Sequence, residues 1–340
     1  VDSHDVQWSH NHDDTFFTPT DWGFARYEAY TGNLVEDYIL FDEDVSSDVN
    51  HAQLIENDTA VLISDRSYNR MMLWNRSTGK TEWICGGIDA TLDSYDLDGN
   101  LMTKNSLFYG QHNTEYFGEN EYYIFDNNYN AETWLYHEGN SRAIIVSIDV
   151  SQNKAQLIWE YEFPGFAYAF GDNDRLPTSN IITNWWPRQM TKETGVYDLH
   201  GLEITRDTKE VAWHMKVMGK GCDIDNTFEC LRSTSDGWKM YSIERVYTEP
   251  LAYNIECIDN TLTFVSHNTF KQNNIHQGTA LWRAPDGTLL DRAHFDWVPY
   301  WRPTTVSLST SVSLSKYDTT SLVITNKFGQ EKKVTVSCGA

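Results

Sequence analysis

Residues 71–83 read Met-Met-Leu-Trp-Asn-Arg-Ser-Thr-Gly-Lys-Thr-Glu-Trp, and this stretch decides the fold. Its first four residues are apolar, as in a buried strand, and the chain returns to an aromatic residue at Trp83. Between them lies a polar segment with Asn75 and Gly79, residue types that turns favour because both tolerate a positive φ angle. The stretch therefore predicts a β-hairpin.

The same arrangement recurs along the chain, in residues 25–35, 145–161, 202–213 and 280–290. Helical periodicity is weak throughout. Repeated hairpins predict an all-β fold, a β-propeller of about six blades over residues 1–303, because radially repeated blades leave few exposed sheet edges. A pair of β-sandwiches is the alternative. Residues 304–340 are rich in Ser, Thr and Val and predict a small C-terminal β element, which is also a candidate surface for self-assembly.

The chain has 340 residues and a formal net charge of −23. Such an acidic surface repels nucleic acid phosphates and anionic membranes, and no apolar stretch is long enough to cross a bilayer, so we expect neither nucleic acid binding nor membrane insertion. The charge indicates solubility, with binding of cations such as Ca²⁺ as the alternative.

Several acidic or histidine-rich segments bear on metal binding. Residues 93–100 and 172–174 resemble oxygen-rich Ca²⁺ loops, but the bidentate glutamate expected further on is missing, so polar turns are favoured. His4, His10 and His12 could bind a metal, although a solvated terminus is the simpler interpretation. We therefore expect no cofactor, with Ca²⁺ as the exception to test.

The five cysteines are typical of an oxidising compartment. Cys222 and Cys230 bracket a short polar loop, and Cys257 with Cys338 is the other plausible disulfide. Cys85 then remains as a buried free thiol. The chain has no Cys-x₂-Cys pair, which argues against zinc.

Two N-glycosylation sequons begin at Asn57 and Asn75. The sequence given also begins with Val1, as processed secreted proteins do. These features predict a secreted, extracellular or cell-surface glycoprotein.

Two histidines and two arginines beside apolar, strand-like runs form the candidate site. Guanidinium groups bind tetrahedral oxyanions through two parallel hydrogen bonds, and imidazole transfers protons near neutral pH. We expect His51, His112 and Arg142 to meet at one mouth of the propeller. Arg66 and Asn113 would then help to bind a small anionic substrate.

Each of these residues has a structural alternative. A histidine at a strand start can simply bond to a backbone carbonyl, and Arg142 can pair with an acid of the protein itself, such as Asp126, because an unpaired buried charge is costly. Trp185 and Trp186 could wall a pocket for an aromatic ring or pack in the core.

The chain resembles the arylsulfotransferase family of β-propeller proteins, in its secreted, divergent branch. The resemblance covers roughly residues 45–215 and depends on an ordered series of short segments. These are His51-Ala52-Gln53, Leu62-Ile63-Ser64-Asp65-Arg66, Thr78-Gly79-Lys80-Thr81-Glu82-Trp83-Ile84-Cys85-Gly86-Gly87, Gln111-His112-Asn113, Phe125-Asp126-Asn127-Asn128, Ser141-Arg142 and Trp159-Glu160-Tyr161.

The resemblance implies a propeller with a central site at one face. It also implies transfer of a sulfuryl group from an aryl sulfate to a phenol, through a sulfated histidine and without a nucleotide cofactor. Carried over by position, it makes His51, His112 and Arg142 site residues and matches Arg66 to a family arginine.

One departure from the family pattern concerns the nucleophile. The family's nucleophilic histidine lies beyond the strand after Ser-Arg, where residues 180–186 of this chain contain no histidine. His200 and His214 lie further on, in contexts that do not match.

Our first hypothesis is a protein that binds a sulfated or otherwise anionic aryl or sugar ligand and transfers sulfate. A non-catalytic matrix, cell-surface or filament subunit is the second, and a polysaccharide lyase or hydrolase the third.

Overall fold

The computed structural model describes residues 6–9, 14–40, 48–103, 107–130, 135–136, 139–167, 169–186, 199–217, 238 and 240–338. Within them the regular structure is β-strand, with two short 3₁₀ turns at Val150–Gln152 and Leu314–Lys316. The chain divides into two compact units, Val1–Glu244 and Arg245–Ala340. Across these described residues, no helix is long and apolar enough to span a membrane.

Four sheets follow one another along the first unit. The first sheet contains β1 (Gln7–Trp8), β2 (Thr15–Thr20), β3 (Gly23–Glu28) and β4 (Leu34–Ile39). The second contains β5 (Val49–Ile55), β6 (Ala60–Asp65), β7 (Arg70–Asn75) and β8 (Lys80–Gly86). The next strands are β9 (Asp93–Tyr95), β10 (His112–Tyr116), β11 (Glu121–Asp126), β12 (Tyr129–Asn130), β13 (Leu135–Tyr136), β14 (Arg142–Asp149) and β15 (Lys154–Glu162). The fourth sheet contains β16 (Asp172–Arg175), β17 (Ile181–Trp185), β18 (Leu199–Ile204) and β19 (Val211–Val217).

The third sheet has the order β10-β11-β14-β15-β9, in which β9 pairs in parallel with β15, and β12 and β13 form a separate hairpin. The other three sheets are antiparallel and keep the order of the sequence. The first strands of the second, third and fourth sheets, β5, β10 and β16, contact one another in turn. In the second and fourth sheets, the first strand is fully buried, whereas the last strand is exposed over its first residues, Lys80 to Glu82 in β8 and Val211 to His214 in β19. These are the inner and outer strands of propeller blades, which confirms the predicted all-β propeller.

The second unit is built from two sheets, and the chain crosses from one sheet to the other three times. Its strands are β20 (Leu251–Ile258), β21 (Thr261–His267), β22 (His276–Arg283), β23 (Leu289–Trp297), β24 (Thr304–Ser309), β25 (Thr320–Asn326) and β26 (Glu331–Val336). The sheet orders are β20-β21-β24 and β23-β22-β25-β26. Phe264 of one sheet and Trp282 and Trp297 of the other belong to a single buried cluster. This arrangement is a β-sandwich.

Two observations bear on the predicted organisation. The described residues before residue 245 give four blade-like sheets. The boundary predicted between residues 303 and 304 also falls inside the second unit, because β24 pairs with β21. The Ser- and Val-rich composition that suggested this boundary reflects alternation in β24, where Val306 and Leu308 are buried and Ser307 and Ser309 are exposed.

The hairpin predicted at residues 71–83 is present as β7 and β8. Asn75 Oδ1 accepts hydrogen bonds from the backbone nitrogens of Ser77 at 2.9 Å and Thr78 at 3.1 Å. Gly79 has a φ of +64°, which glycine adopts without steric cost. The turn chemistry and the strands thus agree with the sequence-based interpretation.

The surroundings of β6 explain why residues 60–63 form a continuous apolar run. Val61 and Ile63 pack in a cluster with residues of the first sheet, whereas Ala60 and Leu62 pack in a cluster with residues of the third. Successive side chains of a strand point to opposite faces, so residues 60–63, which lie between two sheets, are apolar on both faces.

Side-chain amides connect neighbouring blades. Gln53 of β5 donates from Nε2 to the carbonyl of Tyr116 at 3.2 Å and accepts from the Tyr116 backbone nitrogen at 2.7 Å. Asn50 donates to the carbonyl of Gln111 at 2.7 Å. Asn173 of β16 donates to the carbonyl of Ile124 in the third sheet. These bonds join the backbones of separate sheets.

The cysteine predictions are confirmed where the structure describes the residues. Cys257 and Cys338 form a disulfide across a sequence separation of 81 residues. Cys85 is a buried free cysteine, and burial raises the pKa of its thiol. Cys222 and Cys230 lie outside the described residues, as do His4, His10 and His12.

The Gln53 amide bonds should contribute measurably to the stability of the first unit. Gln53→Ala removes both bonds to Tyr116, and we expect the free energy of unfolding to fall by about 2 kcal/mol, measured by urea denaturation. The exposed Gln152 on the 3₁₀ turn provides the control, because Gln152→Ala should change this free energy by less than about 0.5 kcal/mol. Equal effects of the two substitutions would contradict the proposed role of the amide.

The disulfide should stabilise the second unit by restricting its unfolded chain. For a loop of this length we expect a contribution of roughly 4 kcal/mol. Amide hydrogen exchange in β20 and β21 should become faster when Cys257 and Cys338 are both replaced by serine. Exchange in β6 of the first unit is the internal control, and unchanged protection in β20 and β21 would refute the prediction.

Candidate functional site

The inner strands of the propeller carry an unusual number of buried polar residues. Those with little or no exposed surface are Asn50, His51 and Gln53 on β5, His112, Asn113, Thr114 and Glu115 on β10, and Asp172, Asn173, Asp174 and Arg175 on β16. The neighbouring strands β6, β11 and β17 are mainly apolar. Burying polar groups costs free energy unless they are hydrogen-bonded or bind something, so these strands are the candidate site.

Both predicted histidines lie at irregularities of their strands. The pairing of β5 with β6 shifts register between Val49 and His51. The pairing of β10 with β11 shifts between His112 and Glu115, and Asn113 between them has a φ of +46°. Such bulges redirect side chains and are frequent next to active sites.

His112 is held by a hydrogen bond of 2.7 Å between its Nδ1 and Oδ1 of Asn127. The Asn127 amide is itself oriented, because its Nδ2 donates to the carbonyls of Ala167 and Phe170, both at 2.9 Å. The oxygen that faces His112 can only accept, so Nδ1 of the imidazole carries the proton. In the neutral ring the lone pair is therefore on Nε2.

Two aromatic rings pack edge-on against His112. The ring centroids of Phe170 and Tyr241 lie 6.1 Å and 6.0 Å from that of the imidazole. The Tyr241 hydroxyl donates to the carbonyl of Asn50 at 2.5 Å. Tyr241 thus connects the surroundings of His112 to the residue that precedes His51.

His51 lies beside an acidic residue of the next blade. Its Nε2 is 3.8 Å from a carboxylate oxygen of Glu115, and the two side chains are 1% and 6% exposed. The pair is an ion pair whenever the imidazole is protonated. The structure thus brings His51 and His112 onto contacting inner strands. We use the name inner-strand site for these residues and their neighbours: His51, His112, Asn113, Glu115, Asn127 and Tyr241.

Arg142 has a structural role. Its Nε and Nη2 donate to Asp126 at 2.9 Å and 2.6 Å, and its Nη1 donates to Glu160 at 2.8 Å. Nη2 also donates to the carbonyl of Leu107 at 3.0 Å. Burial alone would lower the pKa of the guanidinium, but Asp126 and Glu160 raise it. The pairing of Arg142 with Asp126, rather than with a ligand, is the structural alternative considered from the sequence.

The Asp126 carboxylate in turn orders the loop that leads to His112. It is fully buried, and its Oδ1 accepts hydrogen bonds from the backbone nitrogens of Tyr109 and Asn128, both at 2.9 Å. Burial and the nearby Asp126 charge raise the pKa of the Tyr109 hydroxyl. Arg142 therefore supports the site through Asp126.

The second arginine predicted to bind an anion is also engaged by the protein. Arg66 Nη1 donates to Asp48 at 2.9 Å, and its guanidinium lies over the ring of Tyr129 at 5.3 Å from the centroid. Both predicted arginines therefore form ion pairs with acids of the protein.

The two predicted tryptophans have different surroundings. Trp185 stacks on Phe163 with ring centroids 5.5 Å apart and belongs to the core between sheets. Trp186 contacts Phe170 at 6.0 Å, and Phe170 contacts His112, so Trp186 lies in the ring of aromatics around the site. Of the two tryptophans, Trp186 is the one that contacts a ring packed against His112.

Further predictions concern His200, His214 and the two acidic segments at residues 93–100 and 172–174. His200 and His214 bond to each other at 2.8 Å on β18 and β19, the outer strands of their sheet. Asp96 forms the polar turn that was favoured, since its Oδ1 accepts from the Asn100 backbone nitrogen at 2.8 Å. The segment Asp172–Arg175, in contrast, is a buried inner strand and not a turn.

The sequon residues lie at different places in the second sheet. Asn57 is exposed in the turn between β5 and β6, whereas Asn75 ends β7 and donates to Glu82 at 2.7 Å.

Asn127, Tyr241 and Glu115 were not predicted as site residues. Asn127 follows a strand in one of the family-like segments, but nothing in its local sequence indicates Tyr241, which comes from a distant part of the chain.

Comparisons with known proteins support a family assignment. The sequence profile of the arylsulfotransferase (ASST) family matches residues 47–224, more than half of the chain and all of β5, β10 and β16. No curated protein matches the sequence.

Several solved structures are similar at low identity. Hydrazine synthase of Kuenenia stuttgartiensis has a TM-score of 0.38 and 6% identity, with 98% of this chain and 67% of that chain covered. The Cps50 (Swd1) β-propeller domain of Myceliophteria thermophila has a TM-score of 0.35 and 8% identity, covering 99% and 87%. Kluyveromyces lactis Hsv2 has a TM-score of 0.32 and 8% identity, covering 98% and 98%. The fold assignment depends on the strand order described above, and the profile match shows that the chain belongs to the arylsulfotransferase family.

Proposed function

We propose that the inner-strand site binds a sulfated aryl or sugar ligand and that His112 carries the sulfuryl group during transfer to a phenol. The observation that supports this role is the hydrogen bond of 2.7 Å between His112 Nδ1 and Asn127. It gives Nε2 the lone pair of the neutral ring, and an imidazole held in one tautomer by a third group is suited to nucleophilic catalysis.

The proposed reaction has two halves. In the first, the His112 Nε2 lone pair attacks sulfur, the bond between sulfur and the phenolic oxygen breaks, and the phenolate leaves with that electron pair. In the second, the oxygen of an acceptor phenol attacks sulfur and the nitrogen–sulfur bond breaks, which restores the neutral imidazole. No nucleotide takes part in either half.

His51 and Glu115 are the proposed proton donor and acceptor. Protonated His51 would give its proton to the leaving phenolate, and the neutral ring would accept the proton of the incoming phenol. Glu115, 3.8 Å from His51 Nε2, would form an ion pair with the protonated imidazole.

The aromatic side chains around His112 suit a ring-bearing ligand. Phe170 contacts His112, Tyr241 and Trp186, with Tyr241 at a centroid distance of 5.5 Å. Aromatic pairs in edge-on or offset geometry are favourable, so an aryl group could replace one of these contacts.

A non-catalytic extracellular subunit is the second candidate function. It is favoured by the engagement of Arg66 and Arg142 with acids of the protein. His51 and His112 are also only 1% and 3% exposed. A chain with this role would keep the propeller and bind no aryl sulfate.

We also propose that the protein is secreted and glycosylated. The disulfide between Cys257 and Cys338 and the exposed sequon at Asn57 support this proposal. Glycan analysis of protein from its own source, at Asn57 and Asn75, is the direct measurement.

Loss of His112 should abolish sulfuryl transfer. With p-nitrophenyl sulfate as donor and a phenol as acceptor, we expect His112→Gln to release nitrophenolate about 100-fold more slowly or worse. His214→Gln on the outer strand β19 is the matched control and should keep the rate. Intact mass after a donor pulse should show one added SO₃ group in the control only. No turnover in the parent protein between pH 5 and pH 9 would favour the non-catalytic subunit, and a normal rate in His112→Gln would exclude His112 as nucleophile.

Arg142 should affect stability through Asp126. Arg142→Gln leaves a buried carboxylate without its cation, and we expect the free energy of unfolding to fall by about 3 kcal/mol or more. Adding Asp126→Asn should recover part of this loss, because an amide oxygen can still accept from Tyr109 and Asn128. If instead Arg142→Gln leaves stability unchanged and raises KM for the donor, Arg142 binds the substrate.

A further inference from the structure

A group of three carboxylates lies at the edge of the inner-strand site. Oxygens of Asp172, Asp174 and Glu244 are all within 4.8 Å of one another. Asp172 and Asp174 belong to β16 and are 1% and 2% exposed, whereas Glu244 is exposed. Residues two apart on a strand point to the same face, so the strand itself directs both aspartates to one side.

Such a group repels itself electrostatically. A divalent cation bound between such carboxylates offsets this repulsion.

An independent observation at Asn184 points to a ligand. Asn184 pairs directly with Asp172 in the ladder between β16 and β17, so their side chains lie on the same face of the sheet. Its Nδ2 donates to the carbonyl of Met240 at 2.8 Å, which fixes the orientation of the amide. Its Oδ1 is buried and accepts no hydrogen bond from the residues that the structure describes. A buried amide oxygen of this kind requires a partner.

We infer that Asp172, Asp174, Asn184 and Glu244 bind a divalent cation, with Ca²⁺ as the best match. All four ligands would be oxygen atoms, which suits a hard cation and disfavours zinc or copper. Ca²⁺ accepts mixed carboxylate and amide oxygens in a flexible geometry, whereas Mg²⁺ demands a nearly ideal octahedron. This inference does not depend on the proposed sulfuryl transfer.

The cation would also fix the position of the chain segment that carries Tyr241. Asp172 accepts hydrogen bonds from Asn113 Nδ2 and, at 3.1 Å, from the Ile243 backbone nitrogen. Met240 is bonded to Asn184, and Glu244 follows in the same segment. A bound cation would therefore join β10, β16 and residues 240–244, and would hold the Tyr241 ring against His112.

Metal binding can be measured on the full chain after removal of cations with a chelator. Calorimetry with Ca²⁺, and terbium(III) luminescence excited through tryptophan, should both report one site. Asp174→Asn and Glu244→Gln should each weaken Ca²⁺ binding about tenfold or more, because affinity follows the number of charged ligands. Asp96→Asn in the exposed turn at residues 93–100 is the control and should bind as the parent does.

Two outcomes would overturn the inference. One is the absence of Ca²⁺ binding at concentrations up to about 10 mM, beyond the range of extracellular calcium modules. The other is unchanged affinity in Glu244→Gln, where the substituted side chain is exposed and the fold is checked by circular dichroism. His112→Gln should still bind Ca²⁺ normally, so failure of sulfuryl transfer and failure of cation binding can be told apart.

Discussion

The hydrogen bonds between side-chain amides and the backbone of the next blade are the constraint on which the first unit depends. Among the described strands, neighbouring blades share no ladder of backbone hydrogen bonds, so their inner strands need another partner for buried N–H and C=O groups. Gln53 supplies both halves of such a pairing to Tyr116. Asn50 and Asn173 each supply one donor. Polar residues on the inner strands are thus first needed to connect the blades. The candidate site is formed by the polar residues that remain.

This origin explains the arrangement around His112. The Asn127 amide connects one loop to two carbonyls of another and, with its remaining oxygen, orients the imidazole. Asp126, the residue before Asn127, orders the loop that leads to His112 and forms an ion pair with Arg142. Groups that hold these loops together therefore also determine the tautomer and direction of the candidate nucleophile. A change in this network would affect stability and chemistry at once, as expected for a connected buried network.

Local sequence patterns predicted those parts of the molecule that depend on neighbours in sequence. The hairpin at residues 71–83, the free thiol at Cys85 and the polar turn at Asp96 follow from residue types within a few positions. The partner of Arg142 and the strand character of Asp172–Arg175 depend on contacts between distant segments. A run of Asp and Asn reads as a turn unless its partners on other blades are known. Tyr241 could not be predicted as a neighbour of His112, because more than a hundred residues separate them.

The sealed position of Cys85 has a consequence for oxidative folding. Its sulfur is enclosed between the second and third sheets, and disulfide exchange requires an accessible thiolate. Once these two blades have closed, the odd cysteine is withdrawn from the reaction, and an even number remains to pair elsewhere. If this part of the propeller forms early, the chain is therefore protected from incorrect disulfides. If these blades close late, Cys85 stays accessible for a time and can form an incorrect disulfide with another cysteine.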